Sequence, residues 1–385
     1  MARGITMKAL RQTAQSTAVI DQVPIPVPGP DEVLVKIYAV ALSPYDWKML
    51  YGQAPPVPTV LGCDFAGVIE TVGQNVTRVK PQDRVAGMVQ GRNILRPDDG
   101  AFVEYAVAPA HVLLHLPQNL SFEDGVTVPI PAFTAGFCLE HVMGVAVPKP
   151  ASEPGSLLQG GEGGAASVPN GPAESNKGSS KAPILLVYGG ASSSGLMLVQ
   201  MGKLAGMKVV AVCSKDSFDL VRSFGADVVF DYRDEICEQA LQSFTAGRVQ
   251  YTVDCIADAQ SATICSAAMG SEPGTYISFT SAGPALKHEN VKSVKIVSFT
   301  VLGRPFSFGP SAPTFPVIDE HVAFGENFAI KIESLLGSGQ LQPLRSEVRY
   351  GGLAGIVSGL EDLKAGQIRG RRLVYSIYKD TCIRH

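Results

Sequence analysis

The fold is decided by the stretch Ile184-Leu185-Leu186-Val187-Tyr188-Gly189-Gly190-Ala191-Ser192-Ser193-Ser194-Gly195, which runs on into Leu196-Met197-Leu198-Val199-Gln200. Its first apolar residues are typical of a buried parallel strand. The glycines and serines predict a sharp turn with free backbone N–H groups, and the apolar-periodic residues after it predict a helix. A strand, a small-residue turn and a helix N-terminus together form an anion site, because the N–H groups and the helix dipole point the same way.

A second apolar strand, Lys208–Val212, follows Gly206 and completes a βαβ unit of about 30 residues. The spacing Gly190-x4-Gly195 matches neither G-x-G-x-x-G nor the P-loop, in which a Lys follows the last glycine. The context nevertheless favours dinucleotide binding over a purely structural turn. Strand-like and helical patterns keep alternating up to residue 279, which predicts a doubly wound parallel sheet.

Length and composition limit the classes of protein to which the chain can belong. The chain has 385 residues, is 45% hydrophobic and carries a net charge of −3, which predicts two domains and argues against nucleic acid as a partner. No apolar run reaches the roughly 18 residues of a transmembrane helix, and the first residues lack the apolar core of a signal peptide. The seven cysteines are scattered without a C-x-x-C pair, as in a cytoplasmic protein with reduced thiols.

The regions on either side of the βαβ unit differ in composition and in predicted secondary structure. Residues 7–115 contain short strands with Gly/Pro turns, which predict a small barrel or sandwich. Ser121 is a helix N-cap signal, and Thr134 is expected near the start of a further helix. Lys149–Pro183 is rich in Gly, Ser, Pro and Ala, which predicts a flexible surface loop. The tail ends in a predicted strand, Arg372–Ile377, that is expected to return to the first domain.

A set of motifs resembles the medium-chain dehydrogenase/reductase superfamily over nearly the whole chain. These motifs are Met7-Lys8-Ala9-Leu10, Ser43-Pro44-Tyr45-Asp46-Trp47-Lys48, Leu61-Gly62-Cys63-Asp64-Phe65-Ala66-Gly67, Gly100-Ala101-Phe102, Phe133-Thr134-Ala135-Gly136 and Gly225-Ala226-Asp227. The resemblance implies a GroES-like β domain over residues 1–133, completed by about 340–385. It also implies a Rossmann domain over residues 134–339, with the flexible insertion at 149–183.

The zinc-dependent members of that superfamily carry Gly-His-Glu where this chain has Gly62-Cys63-Asp64, and they have a catalytic Cys upstream, near the position of Ser43-Pro44. This chain also has no Cys between residues 87 and 100, where a structural zinc loop would lie. Zinc needs about three or four ligands in tetrahedral spacing. We therefore expect a zinc-independent reductase without a metal, in which Cys63 is a packed thiol.

Further motifs give a narrower resemblance, to the trans-acting enoyl reductases that serve fungal highly reducing polyketide synthases, including hybrids with peptide synthetases. They are Pro44-x-Asp46-x-Lys48, Tyr188-Gly189-Gly190, Phe230-Asp231-Tyr232-Arg233 and Val253-Asp254-Cys255-Ile256. The resemblance implies that hydride from NADPH reduces the α,β-double bond of an enoyl thioester. The substrate would sit on the acyl carrier protein of a partner synthase in secondary metabolite biosynthesis, and the reductase is expected to be a monomer.

The cofactor prediction rests first on the residues after the second Rossmann strand. An NAD enzyme places Asp or Glu there for the ribose hydroxyls, whereas a Ser/Lys cluster suits the 2′-phosphate of NADP. Asp216 argues the other way, unless it caps the next helix. With the positions implied by the resemblance, the predicted cofactor-binding set is Tyr45, Asp46, Trp47, Lys48, Ser192, Ser193, Ser194, Gly195, Ser214, Lys215, Asp216, Ser217, Tyr232, Ile368 and Arg369.

Two residues are predicted to be catalytic. Lys48, placed by the resemblance at the nicotinamide end, would stabilise the enolate, although it also reads as an ordinary surface lysine. Thr134 would hold the carboxamide or the thioester oxygen, although it also reads as a helix-start hydroxyl. The predicted substrate-binding stretches are apolar enough for an acyl chain but equally suited to core packing. They are Ala135, Gly136, Phe137, Cys138, Leu139, Glu140, His141, Val142, Thr300, Val301, Leu302, Gly303 and Arg304.

Two other functions remain open on the sequence. One is a quinone oxidoreductase-like or small-molecule enone reductase of the same superfamily. The other is a non-catalytic binding protein, comparable to the lens crystallins of that superfamily, against which the intact Lys48, Thr134 and Ser-rich turn argue.

Overall fold

The computed structural model describes residues 6–150, 182–279, 286 and 288–378. The predicted loop at 149–183 therefore lies almost entirely outside the described residues. Among those that are described, no helix is both long and apolar enough to cross a bilayer.

The elements of the first 142 residues are mostly strands. In chain order they are β1 Thr6–Ala14, β2 Thr17–Pro24, β3 Glu32–Ala41, α1 Pro44–Tyr51, β4 Thr59–Val60, β5 Asp64–Val72, β6 Arg84–Met88, β7 Tyr105–Pro109, β8 Leu114–His115, α2 Phe122–Gly125 and α3 Pro129–Gly136, which continues as a π-helix over Phe137–Val142. The strand predictions for this region are confirmed. The expectation that Thr134 stands near a helix start is wrong, because α3 begins at Pro129, whose fixed φ suits a first helical position.

Strands and helices alternate from residue 184 to residue 278, and three further strands then follow one another before the next α-helix. They are β9 Ile184–Tyr188, α4 Ser193–Leu204, β10 Lys208–Cys213, α5 Phe218–Ser223, β11 Val228–Asp231, α6 Cys237–Thr245, β12 Tyr251–Asp254, α7 Ala259–Met269, β13 Gly274–Ser278, β14 Val291–Lys295, β15 Phe306–Ser307, β16 Thr314–Phe315, α8 Asp319–Gly337, β17 Ser346–Arg349, α9 Ile356–Lys364 and β18 Arg372–Ser376. Short 3₁₀ helices lie at Ala110–Val112, Lys215–Ser217, Ser298–Leu302 and Gly352–Gly355.

The second lobe, defined as the sheet β9–β14 with the helices packed on it, is the predicted doubly wound fold. Its six strands are parallel and run in the order β11-β10-β9-β12-β13-β14. The chain moves outward from β9 through β10 and then restarts on the other side of β9 with β12. Tyr188 and Asp254 are paired where β9 and β12 end. This edge is the switch point at which such sheets bind ligands.

The first lobe, defined as the strands β1–β8, β17 and β18 with α1, α2 and α9, is built from two sheets. One has the order β2-β1-β4, and the other has the order β17-β18-β3-β5-β6-β8 with β7 paired to β3. Strand β18 pairs antiparallel with β3, so the end of the described chain lies in the first lobe. The domain limits at residues 133 and 339 stay a prediction.

Charged side chains join the two lobes. Arg304, which follows the Ser298–Leu302 turn, lies 2.5 Å from Glu32 and 3.0 Å from Asp99 of the first lobe. On another side, Glu333 of α8 lies 2.7 Å from Arg78 and 2.9 Å from the His115 ring. Ion pairs thus join the two lobes at two places.

Candidate active site

Helix α1 carries the first predicted site residues, and a reciprocal cap fixes its start. Ser43 is the N-cap, and Pro44 occupies the first helical position. Asp46 Oδ2 accepts hydrogen bonds from the backbone N–H and the hydroxyl of Ser43, each at 2.7 Å. Asp46 is therefore turned inward and almost fully buried, and burial raises its pKa to about 6. Its Oδ1 has no hydrogen-bond partner in the part of the chain that is described.

Tyr45 connects α1 to the second lobe. Its hydroxyl donates to the carbonyl oxygen of Gly91 at 3.2 Å and accepts from Nε2 of Gln90 at 3.3 Å. Its ring meets Phe299 and Phe308 edge-on, with centroids 5.2 and 6.0 Å away. Since Phe299 belongs to the turn after β14, Tyr45 lies where the two lobes face each other.

Lys48 lies on the exposed side of α1. Its Nζ is 5.7 Å from the centroid of the Trp47 ring, which is half-buried against the core of the first lobe. Among the described residues, no carboxylate lies within ion-pair distance of Lys48. Its ammonium group is therefore available to a ligand.

Thr134 reaches the same region from α3. Its side chain is 5% exposed, and its hydroxyl donates to Oγ of Ser298 at 3.1 Å. Ser298 begins the short helix that also presents Phe299 to Tyr45. Two consecutive residues of the second lobe thus contact predicted site residues: Phe299 contacts Tyr45 of α1, and Ser298 contacts Thr134 of α3.

The Gly/Ser turn between β9 and α4 has the close backbone approach that a pyrophosphate needs. Gly189 has a φ of +76°, and a Cβ on Gly195 would lie 2.3 Å from the carbonyl oxygen of Gly189. Oγ of Ser192, the N-cap of α4, accepts from the N–H of Gly195 at 3.1 Å. The amides of Ser193 and Ser194 have no acceptor among the described residues. These donors and the helix dipole fit a dinucleotide phosphate.

The predicted adenosine end lies where β10 and β11 finish side by side. Oγ of Ser214 and Oγ of Ser217 are 3.3 Å apart, and Lys215 and Asp216 between them are exposed. Tyr232 directly follows β11, and its ring centroid is 6.4 Å from that of Tyr188 at the end of β9. The structure therefore brings residues 214–217 and Tyr232 to one edge of the sheet.

The other two predicted cofactor residues come from the segment before β18. Ile368 is half-buried, and Arg369 is exposed, with its Nε donating to the carbonyl oxygen of Gly366 at 3.0 Å. A Cβ on the next residue, Gly370, would lie 2.5 Å from Leu220 Cδ2 in α5. The segment thus reaches the helix that follows residues 214–217.

The two predicted substrate stretches are joined through α8. Nδ1 of His321 lies 2.8 Å from Oγ1 of Thr300, and the His321 ring centroid is 4.8 Å from that of Phe137 and 4.7 Å from that of His141. The aliphatic members are core residues, and a Cβ on Gly136 would collide with the ring of Phe328. Fully or almost fully buried members are Ala135, Phe137, Cys138, Leu139, Val301 and Leu302.

The remaining members of these stretches have other roles in packing. Glu140 forms an ion pair with Lys331 of α8, and Arg304 is only 8% exposed in its pairs with the first lobe. Val142 is half-buried against the core, and Gly303 has a φ of +66° at the end of its turn. Contact of these stretches with a substrate stays a prediction.

The residues at the position where zinc-dependent members bind the metal are buried or paired with other groups of the protein. Cys63 is fully buried, and burial raises the pKa of its thiol well above the ordinary value. Asp64 accepts from the N–H of Ile130 at 2.9 Å and lies 2.8 Å from Nη2 of Arg372. No group of three His, Cys, Asp or Glu side chains suited to a metal ion occurs within the described ranges. The donor set does not fit tetrahedral zinc.

Sequence reasoning missed two side chains that contact predicted site residues. Ser298 accepts the hydroxyl of Thr134, and the Cys255 thiol, directly after β12, interacts with Ser192 in the Gly/Ser turn. Both follow the carboxyl end of a parallel strand, which is the signal that would have found them.

Comparison with known proteins places the chain in a family. Residues 29–118 match the alcohol dehydrogenase GroES-like domain, and residues 195–304 match the zinc-binding dehydrogenase domain. A trans-enoyl reductase of Alternaria alternata is 33% identical over 97% of this chain and 99% of its own length.

Two solved structures share the fold. The CurK enoyl reductase has a TM-score of 0.71 and 15% identity, over 96% of this chain and 99% of that one. A mycobacterial protein in complex with NADPH has a TM-score of 0.69 and 20% identity, over 96% and 99%. By its sequence relatives and by both matched domains, the chain is an oxidoreductase that belongs to the trans-enoyl reductases of the medium-chain dehydrogenase/reductase superfamily.

Proposed function

We propose that the protein is a trans-acting enoyl reductase that uses NADPH to reduce the α,β-double bond of a polyketide enoyl thioester carried by an acyl carrier protein. The supporting observation is the meeting of α1 and α3 at one turn of the second lobe. Tyr45 packs on Phe299, and Thr134 donates to Ser298. Lys48 stands one turn along α1 from Tyr45, with its ammonium group unpaired among the described residues.

Reduction adds a hydride to the β-carbon and a proton from water to the α-carbon. The reduced nicotinamide, when bound, supplies the hydride. In this proposal the Lys48 ammonium group stabilises the negative charge that develops on the thioester oxygen. Because Thr134 gives its hydroxyl hydrogen to Ser298, the hydrogen of the Ser298 hydroxyl remains for a ligand oxygen. That oxygen belongs to the thioester or to the nicotinamide carboxamide.

The choice of NADPH rests on the edge formed by residues 214–217. The hydroxyls of Ser214 and Ser217 are 3.3 Å apart, and Lys215 between them in the chain is exposed. Two hydroxyls and an ammonium group are a set suited to a phosphate dianion. The NADPH complex of the mycobacterial protein that shares the fold is consistent with this choice.

The partner is proposed to be a polyketide synthase that presents the thioester in trans, as the name of the Alternaria alternata relative suggests. We also propose that the protein acts as a monomer. Strand β14 is one of the two edges of the parallel sheet and carries Lys292 and Lys295, residues of the kind that discourage edge-to-edge pairing. Light scattering at micromolar concentration tests this: a dimer would contradict it.

The test of the function is single-turnover oxidation of NADPH with a short α-methyl enoyl pantetheine thioester. Lys48→Ala and Ser298→Ala should each slow the reaction by about 10²–10³, as for a lost oxyanion-type donor. Thr134→Val should also slow it, because it removes the hydrogen bond that orients the Ser298 hydroxyl. Cofactor affinity, measured separately by fluorescence, should fall much less. Lys80→Ala, which removes an exposed lysine in the turn before β6, is the matched control and should react like the parent.

Two results would contradict the proposal. If the Lys48 and Thr134 variants turn over like the parent, the catalytic residues are assigned wrongly. If the parent reduces free quinones or small enones but ignores thioesters, the protein is a small-molecule reductase instead.

A further inference from the structure

One carboxylate ties together the two loops at the adenosine end of the site. Asp231 is the last residue of β11, and it lies opposite Cys213, the last residue of β10. Its Oδ2 accepts from the backbone N–H of Lys215 at 3.3 Å, and its Oδ1 accepts from the backbone N–H of Arg233 at 3.0 Å. Each of the two loops that leave the sheet here is thus anchored to a different oxygen of the same side chain.

The two anchored residues are cations. Lys215 and Arg233 are exposed, and neither has a carboxylate within ion-pair distance in the described part of the chain. The Arg233 guanidinium lies 5.4 Å from the centroid of the Tyr232 ring, which keeps it at the edge where the adenosine is proposed to bind. The backbones of these two exposed residues are held at one edge of the sheet, and two cations at one edge are suited to one doubly charged anion.

Asp231 is already engaged in positioning the two loops. An acidic residue at a strand end ordinarily favours NAD by accepting hydrogen bonds from the 2′- and 3′-hydroxyls. Here both carboxylate oxygens already accept backbone N–H groups. The exposed Asp216, which argued against a phosphate in the sequence, belongs to the same edge of the sheet as Arg233. Arg233 therefore offsets part of the repulsion that Asp216 would exert.

We propose that Arg233 is a specificity-determining residue that contacts the 2′-phosphate together with Lys215, and that Asp231 is the positioning residue that holds both cations across it. This inference rests on the proposed use of NADPH and deepens it, because it assigns the selectivity to a cross-strand anchor. Arg233 would act directly on the phosphate, whereas Asp231 acts only through the two backbone amides.

The test compares the affinities of 2′,5′-ADP and 5′-ADP for the whole protein by calorimetry, which needs no turnover. Arg233→Ala should weaken 2′,5′-ADP by about tenfold, as for one lost charge-assisted contact at an exposed site, and leave 5′-ADP within about twofold. Lys208→Ala is the matched control, since Lys208 is an exposed cation at the opposite end of β10. It should change neither affinity.

Asp231→Asn tests the anchor. An amide keeps one acceptor oxygen but turns an NH₂ group toward the other backbone N–H, so one loop is released. The variant should lose several-fold affinity for 2′,5′-ADP and show a weaker dependence of that affinity on salt, while 5′-ADP binding and the melting temperature change little. A general loss of structure would lower both affinities together.

The outcomes separate the two levels of the proposal. If the parent binds both nucleotides equally, the preference for NADPH is wrong, and so are the roles proposed for Arg233 and Asp231. If the parent prefers 2′,5′-ADP and both variants keep the full preference, the roles of Arg233 and Asp231 are wrong, while the choice of cofactor stands.

Discussion

Nη2 of Arg372 lies 2.8 Å from Oδ2 of Asp64, and both side chains are almost completely buried. Asp64 begins β5 and Arg372 begins β18, so the pair connects distant parts of the chain within one sheet. The other oxygen of Asp64 accepts from the N–H of Ile130 in the first turn of α3, the helix that carries Thr134. The ion pair therefore supports the start of an active-site helix as well as the return of the C-terminal strand.

Removing one member of this pair should be costly. Arg372→Met leaves the Asp64 carboxylate buried without its counter-charge, which costs about 3–5 kcal/mol of unfolding free energy. Arg371→Met is the control, because Arg371 is half-exposed in its pair with Glu347 and should lose about 1 kcal/mol or less. Urea unfolding followed by fluorescence of the single tryptophan, Trp47, measures both. Equal losses would show that burial of the pair is unimportant.

Asp46→Asn should stabilise the protein at neutral pH. The ordinary pKa of 3.8 is raised by burial to about 6, so the folded state favours the protonated form. This favourable contribution is present at low pH and is lost as the pH rises through about 6. Asparagine cannot ionise, so the variant should be more stable than the parent by roughly 2–3 kcal/mol at pH 8. The difference should shrink as the pH falls from 6 toward 4.

Thermal unfolding at several pH values checks the Asp46 prediction. Asp98→Asn is the control, since the Asp98 side chain is 80% exposed and its neutralisation should have little effect. A gain in the Asp46→Asn variant that does not vary with pH would contradict the electrostatic explanation.

The contact between His115 and α8 should weaken with rising pH. The hydrogen bond to Glu333 is the main cause that raises the pKa of His115 above its ordinary value of 6.5. The stabilisation is therefore complete below 6.5 and is lost as the pH rises through the higher folded-state pKa. His115 is 39% exposed, so we expect at most about 1 kcal/mol after solvent screening. In His115→Gln, this decline in stability above pH 6.5 should be absent; an unchanged decline would argue against the assignment.

Gly195→Ala should damage the phosphate site although alanine is ordinarily the better helix former, by about 1 kcal/mol. The new Cβ would lie 2.3 Å from the carbonyl oxygen of Gly189, so the turn must shift. We expect at least about tenfold weaker NADPH binding and a lower melting temperature. Gly337→Ala, at the end of α8 where nothing lies within 4 Å, should leave both nearly unchanged. Tight binding by the Gly195 variant would show that the close approach is not needed.

The sequence by itself determined the architecture, because local patterns were strong enough to specify it. The apolar run before Gly189 and the small residues after it define strand, turn and helix without reference to other parts of the chain. The Ser121 cap of α2 is likewise a local signal that the structure follows. Two helix starts were not predicted. Helix α1 begins at Pro44, where the sequence suggested only a turn, and the apolar segment around Thr134 gave no sign that its helix begins at Pro129.

Only the tertiary structure decided which side chains meet. Thr134 and Ser298 are brought within 3.1 Å, and Asp231 bonds both Lys215 and Arg233, although no periodicity in the sequence links these positions. It also decided that Arg304, expected at the substrate, is paired with Glu32 and Asp99 of the first lobe. Contacts of this kind depend on the order of strands in the sheet and on the docking of the two lobes. Those are set by the burial of the whole apolar core rather than by any short stretch of residues.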